Sequence, residues 1–198
     1  MIIHVFTEEQ SAKNVFEVIL PKVLPQNVQF RVYPHQGKQD LERALRKVVP
    51  SISKVPGSKI LITRDQDSSD CTVVKNELNA IIKDNCHCPY FIRIICRELE
   101  SWFLGDMDAI KHAFSRFNPD QYRSKAPFRN VDKISNPGTY LLRLIPEFSN
   151  RITLPKLETS ETISPFLDID NNRSASFQQT ISAIKRLIEY EENRQVNN

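Results

Sequence analysis

Two knots of acidic side chains in this chain each follow an apolar run. Glu8 and Glu9 close "IIHVFTEEQS" (residues 2–11), and Asp65, Asp67 and Asp70 close "ILITRDQDSSDC" (residues 60–71). A turn alone could be made with Asn, Gly or Pro. If the knots meet, two carboxylates about 4 Å apart repel by roughly 4 kcal/mol at an effective dielectric near 20. Such a cluster must either keep protons at neutral pH or bind a cation. Oxygen-only ligation suits Mg2+ or Mn2+ rather than zinc. The Asp65-x-Asp67 spacing lets two carboxylates share one ion or bridge two. The plainer alternative is helix capping: Thr7, Glu8 and Glu9 as an acidic first turn, and Asp67, Ser68, Ser69 and Asp70 as N-caps.

The elements that must position these acids are legible from periodicity. Apolar or alternating runs at 2–6, 28–33, 59–63 and 90–96 read as strands. Between them lie helical patterns: one after Thr7, where Thr7 and Gln10 fit a capping box and Pro25 ends the run, then 39–49 and 71–82. The order β-α-β-α-β-α-β demands parallel strands with helices on both sheet faces. The expected fold class is α/β, a doubly wound, Rossmann-like parallel sheet of about four strands. In an open sheet of order 2-1-3-4, ligands bind where strands 1 and 3 end, at the reversal of strand order. Those strands carry Glu8 and the Asp65/Asp67 pair.

Residues 97–117 read as a helix with a break at Gly105, and 138–148 and 174–194 as further helices, with the tail "ENRQVNN" expected to fray. The expected organisation is a metal-binding domain over 1–117 and a mainly helical lobe over 118–198 packed on it. The chain has 198 residues, 40% apolar and 26% charged, with a net charge of +3, an ordinary balance for a folded core and too little charge for a nucleic-acid tail. No run of about 18 apolar residues spans a bilayer and no signal peptide is evident, so a cytoplasmic, non-membrane protein is expected. Cys86-His87-Cys88 is too closely spaced and lacks a second pair for a zinc site, so free thiols are expected.

Apolar strand, Glu, helix and then Asp-x-Asp after the third strand resembles the TOPRIM domain of topoisomerases, bacterial primases and nucleases of the overcoming-lysogenization-defect type. "TEEQSAKNVFEVILPKVLP", "ITRDQDSSDC", "RIICRELESWFLGDMDAI" and "SASF" resemble a bacterial TOPRIM-like family catalogued as domain of unknown function 4276. The resemblance implies an acidic triad of Glu8, Asp65 and Asp67, a second acidic pair of Glu100 and Asp106, and an ATPase companion in anti-phage defence. The usual Glu-Gly of the first motif is Glu8-Glu9 here, and position directly after the strand favours Glu8.

On a continuous helix, Glu98, Trp102 and Asp106 fall within about 80° of one another, while Glu100 points roughly 200° from Glu98. Glu98 and Glu100 nevertheless lie near the end of the fourth strand, close to the expected metal. The ligand candidates are therefore Glu8, Asp65, Asp67, Asp70 and Glu100, with Arg97 and Arg64 as phosphate contacts. The expectation is Mg2+- or Mn2+-dependent phosphodiester hydrolysis, with DNA as substrate and an ATPase as protein partner. The rival is a non-catalytic interaction module of an ATPase complex. No Walker A sequence is present, so ATP hydrolysis would come from the partner. A phosphoacceptor receiver is disfavoured, because Cys96-Arg97 replaces the Ser or Thr that should end strand 4.

Overall fold

The computed structural model describes residues 1–190; the end of the last expected helix and the "ENRQVNN" tail lie outside the described residues. Strands β1 (Ile2–Thr7), β2 (Gln29–Pro34), β3 (Ser58–Asp65) and β4 (Tyr90–Ile95) alternate with helices α1 (Gln10–Val23), α2 (Lys38–Ile52) and α3 (Cys71–Ile82). The helices α4 (Glu100–Leu104), α5 (Met107–Ala113), α6 (Pro137–Leu144), α7 (Lys156–Ile163) and α8 (Ala175–Glu189) follow. The strands form one parallel sheet in the order β2-β1-β3-β4. The ends of β1 and β3 therefore adjoin at the reversal of strand order.

The strand period of two divides the sheet between two cores. Ile3, Val5, Leu61 and Ile95 pack with α1 and the helices after β4, whereas Phe6, Ile60, Ile62 and Ile92 pack with α2 and α3. Odd-numbered positions of β1 and β3 thus face the helical lobe, and even-numbered positions face α2 and α3. Lys59 obeys the rule: its ammonium donates to the Leu187 carbonyl on α8. The first core cluster continues from Ile3 through Phe128 and Leu141 to Leu187, so residues after 118 share it with the sheet.

Trp102 carries the junction. It is fully buried, meets Phe16 and Phe177 edge-on at centroid distances of 5.8 and 5.1 Å, and donates from Nε1 to Ser176 Oγ at 3.0 Å. The "SASF" segment starts α8 beside it. Ser174 Oγ accepts from the Phe177 amide at 3.1 Å and donates to Asp132 at 2.7 Å, and Asp132 also accepts from the Ser176 amide. Ser174→Ala removes the cap and should cost about 1–2 kcal/mol, read as a lower midpoint in chemical denaturation with an unchanged slope.

Several helix limits differ from the periodicity. Thr7 and Gln10 form no capping box: α1 starts after Glu9, in extended geometry and without a side-chain cap, while Thr7 Oγ1 donates to the Glu9 carbonyl. The 97–117 helix is split. Asp106 Oδ1 accepts from the Ala109 amide and opens α5 as a new helix. Gly105 lies so close to Asn172 and Ser174 that a Cβ there would stand 2.8 Å from the Ser174 backbone nitrogen. Glu98 precedes α4, so Glu98, Trp102 and Asp106 do not share a continuous helix face. Helix α6 stops at Leu144 because Ile145 precedes Pro146 and is extended. Helix α7 has no sequence-level expectation behind it; its buried face is Thr159, Ser160 and Ile163, too polar to give an apolar period.

Candidate metal site

The two-residue alternation explains which acids meet. Asp65 is odd and last in β3, so it faces the helical lobe, where Glu100 stands at the start of α4. Glu9 follows the odd side of β1 onto the same face. Glu8 takes the other side: its Oε2 lies 3.8 Å from Arg64 Nε and accepts from the Asp65 amide at 3.3 Å. Asp65 and Glu100 are 8% and 1% exposed, and that burial distinguishes them from a solvated acidic patch. Lys156, at the start of α7, reaches in from the lobe. Its Nζ lies 3.4 Å from Glu9 Oε1 and 3.8 Å from Glu100 Oε1.

These charges bias one another. Burial drives the Asp65 carboxyl well above the usual range, Glu9, Glu100 and Glu8 add to the rise, and Lys156 opposes it. Burial likewise lifts Glu100 to about 7, against the pull of Lys156. Glu8 is raised by burial and by Asp67, with Arg64 opposing. Lys156 loses hydration, which alone would lower its pKa, but Glu100, Glu9 and Asp65 outweigh that loss and raise it. Glu100 Oε2 is buried without a hydrogen-bond partner. A buried anionic oxygen with no donor costs several kcal/mol unless it takes a proton or a cation.

Asp67 is exposed at the mouth of this cluster. It and Arg97 both have left-handed backbones, with φ of 54° and 64°. The two turns are tied together: the Asp67 amide donates to the Arg97 carbonyl at 2.9 Å and Arg97 Nη1 returns to the Asp67 carbonyl at 3.2 Å. A left-handed backbone at a non-glycine residue costs of order 1–3 kcal/mol, so two at adjacent strand ends need the cross-ties that hold them. Arg97 thus sits beside Asp67.

Other candidates are engaged elsewhere. Asp70 caps α3, its Oδ1 accepting from the Thr72 and Val73 amides, and these bonds lower its pKa. Asp106 has both oxygens occupied, by the Ala109 and Asp168 amides. Arg64, at an even position, turns to the α2/α3 face and is buried between Glu8, Glu42 and Glu77, so its charge is matched by carboxylates. The four cysteines are free thiols, with Cys86 and Cys88 Sγ atoms 3.9 Å apart.

The sequence reading prefers Glu8 to Glu9 and places Glu98 near the metal without making it a ligand; Lys156 escapes it altogether. Glu98 Oε2 accepts from the Gly138 amide at 3.0 Å and so brings the start of α6 onto the cluster. A Cβ at Gly138 would lie 3.0 Å from that oxygen and 3.7 Å from Glu100 Cδ, which is why glycine stands there. The alternation Ile3, Val5, Thr7, Glu9 was a usable signal for Glu9. Lys156 had none, since it is separated from Glu9 by 147 positions.

Among the described residues no three His, Cys, Asp or Glu side chains form a ready-made coordination shell. The donor chemistry nonetheless suits a hard divalent ion: the converging groups are all carboxylates, their mutual repulsion is incompletely offset, and one buried oxygen lacks any partner. Comparison with protein-family models, curated proteins and solved structures gave no match.

Proposed function

We propose that this chain is a Mg2+- or Mn2+-dependent phosphodiesterase acting on DNA. The observation that carries the reading is the gathering of Glu8, Glu9 and Glu100 around Asp65 at adjoining strand ends, with the carboxyls of Asp65, Glu8 and Glu100 raised by burial and crowding. Asp65, with Glu8 or Glu9 as a second ligand and Asp67 at the mouth, would hold the ion. Bound there, it supplies Lewis-acid stabilisation of the charge developing on phosphate and eases ionisation of water. Glu100, titrating near neutrality with Oε2 unpartnered, is suited to accept a proton from water. Lys156 Nζ limits the net negative charge and keeps Glu9 and Glu100 oriented. Arg97, beside Asp67, is the group to contact the scissile phosphate. The TOPRIM resemblance supports DNA as substrate, an ATPase partner, and action in the bacterial cytoplasm as part of anti-phage defence. Among the described residues no helix is long and apolar enough to cross a membrane.

Lys156 also favours a second reading. A protein cation already among the carboxylates could suffice for a purely structural charge cluster, and the chain would then be a non-catalytic module of an ATPase complex. Calorimetric titration with Mn2+, followed by incubation with plasmid and single-stranded DNA, separates the two. The phosphodiesterase binds the ion and cuts. A module shows neither heat of binding nor nicked product.

A further inference from the structure

The described residues contain a second feature with chemistry, close to the acids. A cavity of about 610 Å3 opens between α6 and the segment 126–136. Arg129, Lys133 and Arg143 line it, all three exposed, and no acidic side chain does. Among the described residues none of the three makes a side-chain hydrogen bond or an ion pair, in a protein where Arg64, Arg123 and Lys156 are all matched by carboxylates. Three unmatched cations around one concavity raise the local positive potential and favour an anionic occupant.

Helix α6 stands between the cavity and the acidic cluster. Asn136 and Thr139 line it, and Gly138 between them donates to Glu98 and packs on Glu100. Tyr140, half-buried on the same wall, packs against Phe128 with ring centroids 5.6 Å apart and puts an aromatic side chain in the lining.

From the unmatched cations around this one concavity we infer that the α6 cavity is the track for a nucleic-acid strand, with Arg129, Lys133 and Arg143 on its backbone phosphates and α6 between the strand and the acids. The inference rests on the phosphodiesterase reading for its direction, but the binding it asserts needs no metal. Phosphate contacts position a strand without reading its sequence, so the track is sequence-tolerant.

The test is fluorescence anisotropy of a labelled single-stranded 20-mer with the full chain in EDTA, at several salt concentrations. Glutamine at Arg129, Lys133 and Arg143 together should weaken binding at least about tenfold at low salt. It should also flatten the log–log salt dependence by about 2, at roughly 0.7 per lost phosphate contact. Glutamine at Lys47, Lys54 and Lys83, three exposed lysines around α2 and α3, serves as the charge control and should retain most of the affinity. Equal losses in both triples, unchanged affinity in the first, no binding by the unaltered chain, or displacement of the strand by a mononucleotide at equal phosphate concentration would each overturn the track. Binding that depends on the three cations, with no cleavage under any metal, would leave the track standing and sink the phosphodiesterase.

Discussion

Asp65→Asn is expected to abolish metal-dependent cleavage, by at least about 10³-fold, with the protein remaining folded. Asparagine keeps the shape of the side chain and removes the charge at the point where Glu8, Glu9 and Glu100 converge. An ion stabilising developing charge on phosphate is worth several kcal/mol in the transition state, and about 4 kcal/mol corresponds to 10³ in rate. The fold should tolerate the change because the ionised Asp65 carboxylate is disfavoured by burial and by its neighbours. A melting temperature at or above that of the unaltered protein is expected in EDTA. Asp70→Asn provides the contrast. That carboxylate caps α3, asparagine caps equally well, and cleavage should stay within about twofold. Gel-resolved cleavage rates with Mn2+ and thermal melts of the same preparations check both.

In the absence of divalent ions, stability falls as pH rises through neutrality. Glu100 titrates near 7 in the folded chain against 4.5 for a free glutamate, and Asp65 is shifted in the same direction. A carboxyl with a raised folded pKa binds more protons when folded. Its contribution is fully present below the unfolded value, near 4.5, and is lost as pH climbs through about 7. For Glu100 alone the difference is on the order of 3 kcal/mol, at 1.36 kcal/mol per pKa unit. Glu100→Gln should remove much of the slope between pH 5 and 8 in urea midpoints, leaving the part due to Asp65. Adding Mg2+ at pH 8 should restore stability to the unaltered protein and do less for the variant. A flat profile for the unaltered chain would show that the acids are not crowded as described.

Much of the site could be read from the chain because its frame is regular. The apolar runs at 2–6 and 59–63 are strands, and the order β2-β1-β3-β4 puts their ends side by side. The assignment of Glu8 over Glu9 came from position along the strand. The structure shows that alternation matters more: the neighbouring glutamates diverge, one to Arg64 on the α2/α3 face and one to Lys156 on the lobe face. Arg64 and Asp65 divide in the same way. The helix-face geometry of Glu98 and Asp106 failed because the chain breaks at Gly105, and the close approach of Asn172 that requires glycine there comes from 67 residues further on. Lys156 was hidden for a similar reason. It is set by the docking of α7, a helix with a polar buried face and no period to announce it. The basic cavity is lined by residues of α6 and of two short 3-10 turns before it, where spacing along the sequence does not forecast which cations gather.

A crystal soaked in MnCl2 and measured at the manganese edge locates the ion directly. An anomalous peak coordinated by Asp65, with Glu8 or Glu9 as a second ligand, is the expected result. A peak elsewhere, or none at these strand ends while Lys156 keeps its contacts with Glu9 and Glu100, would contradict the metal-dependent reading.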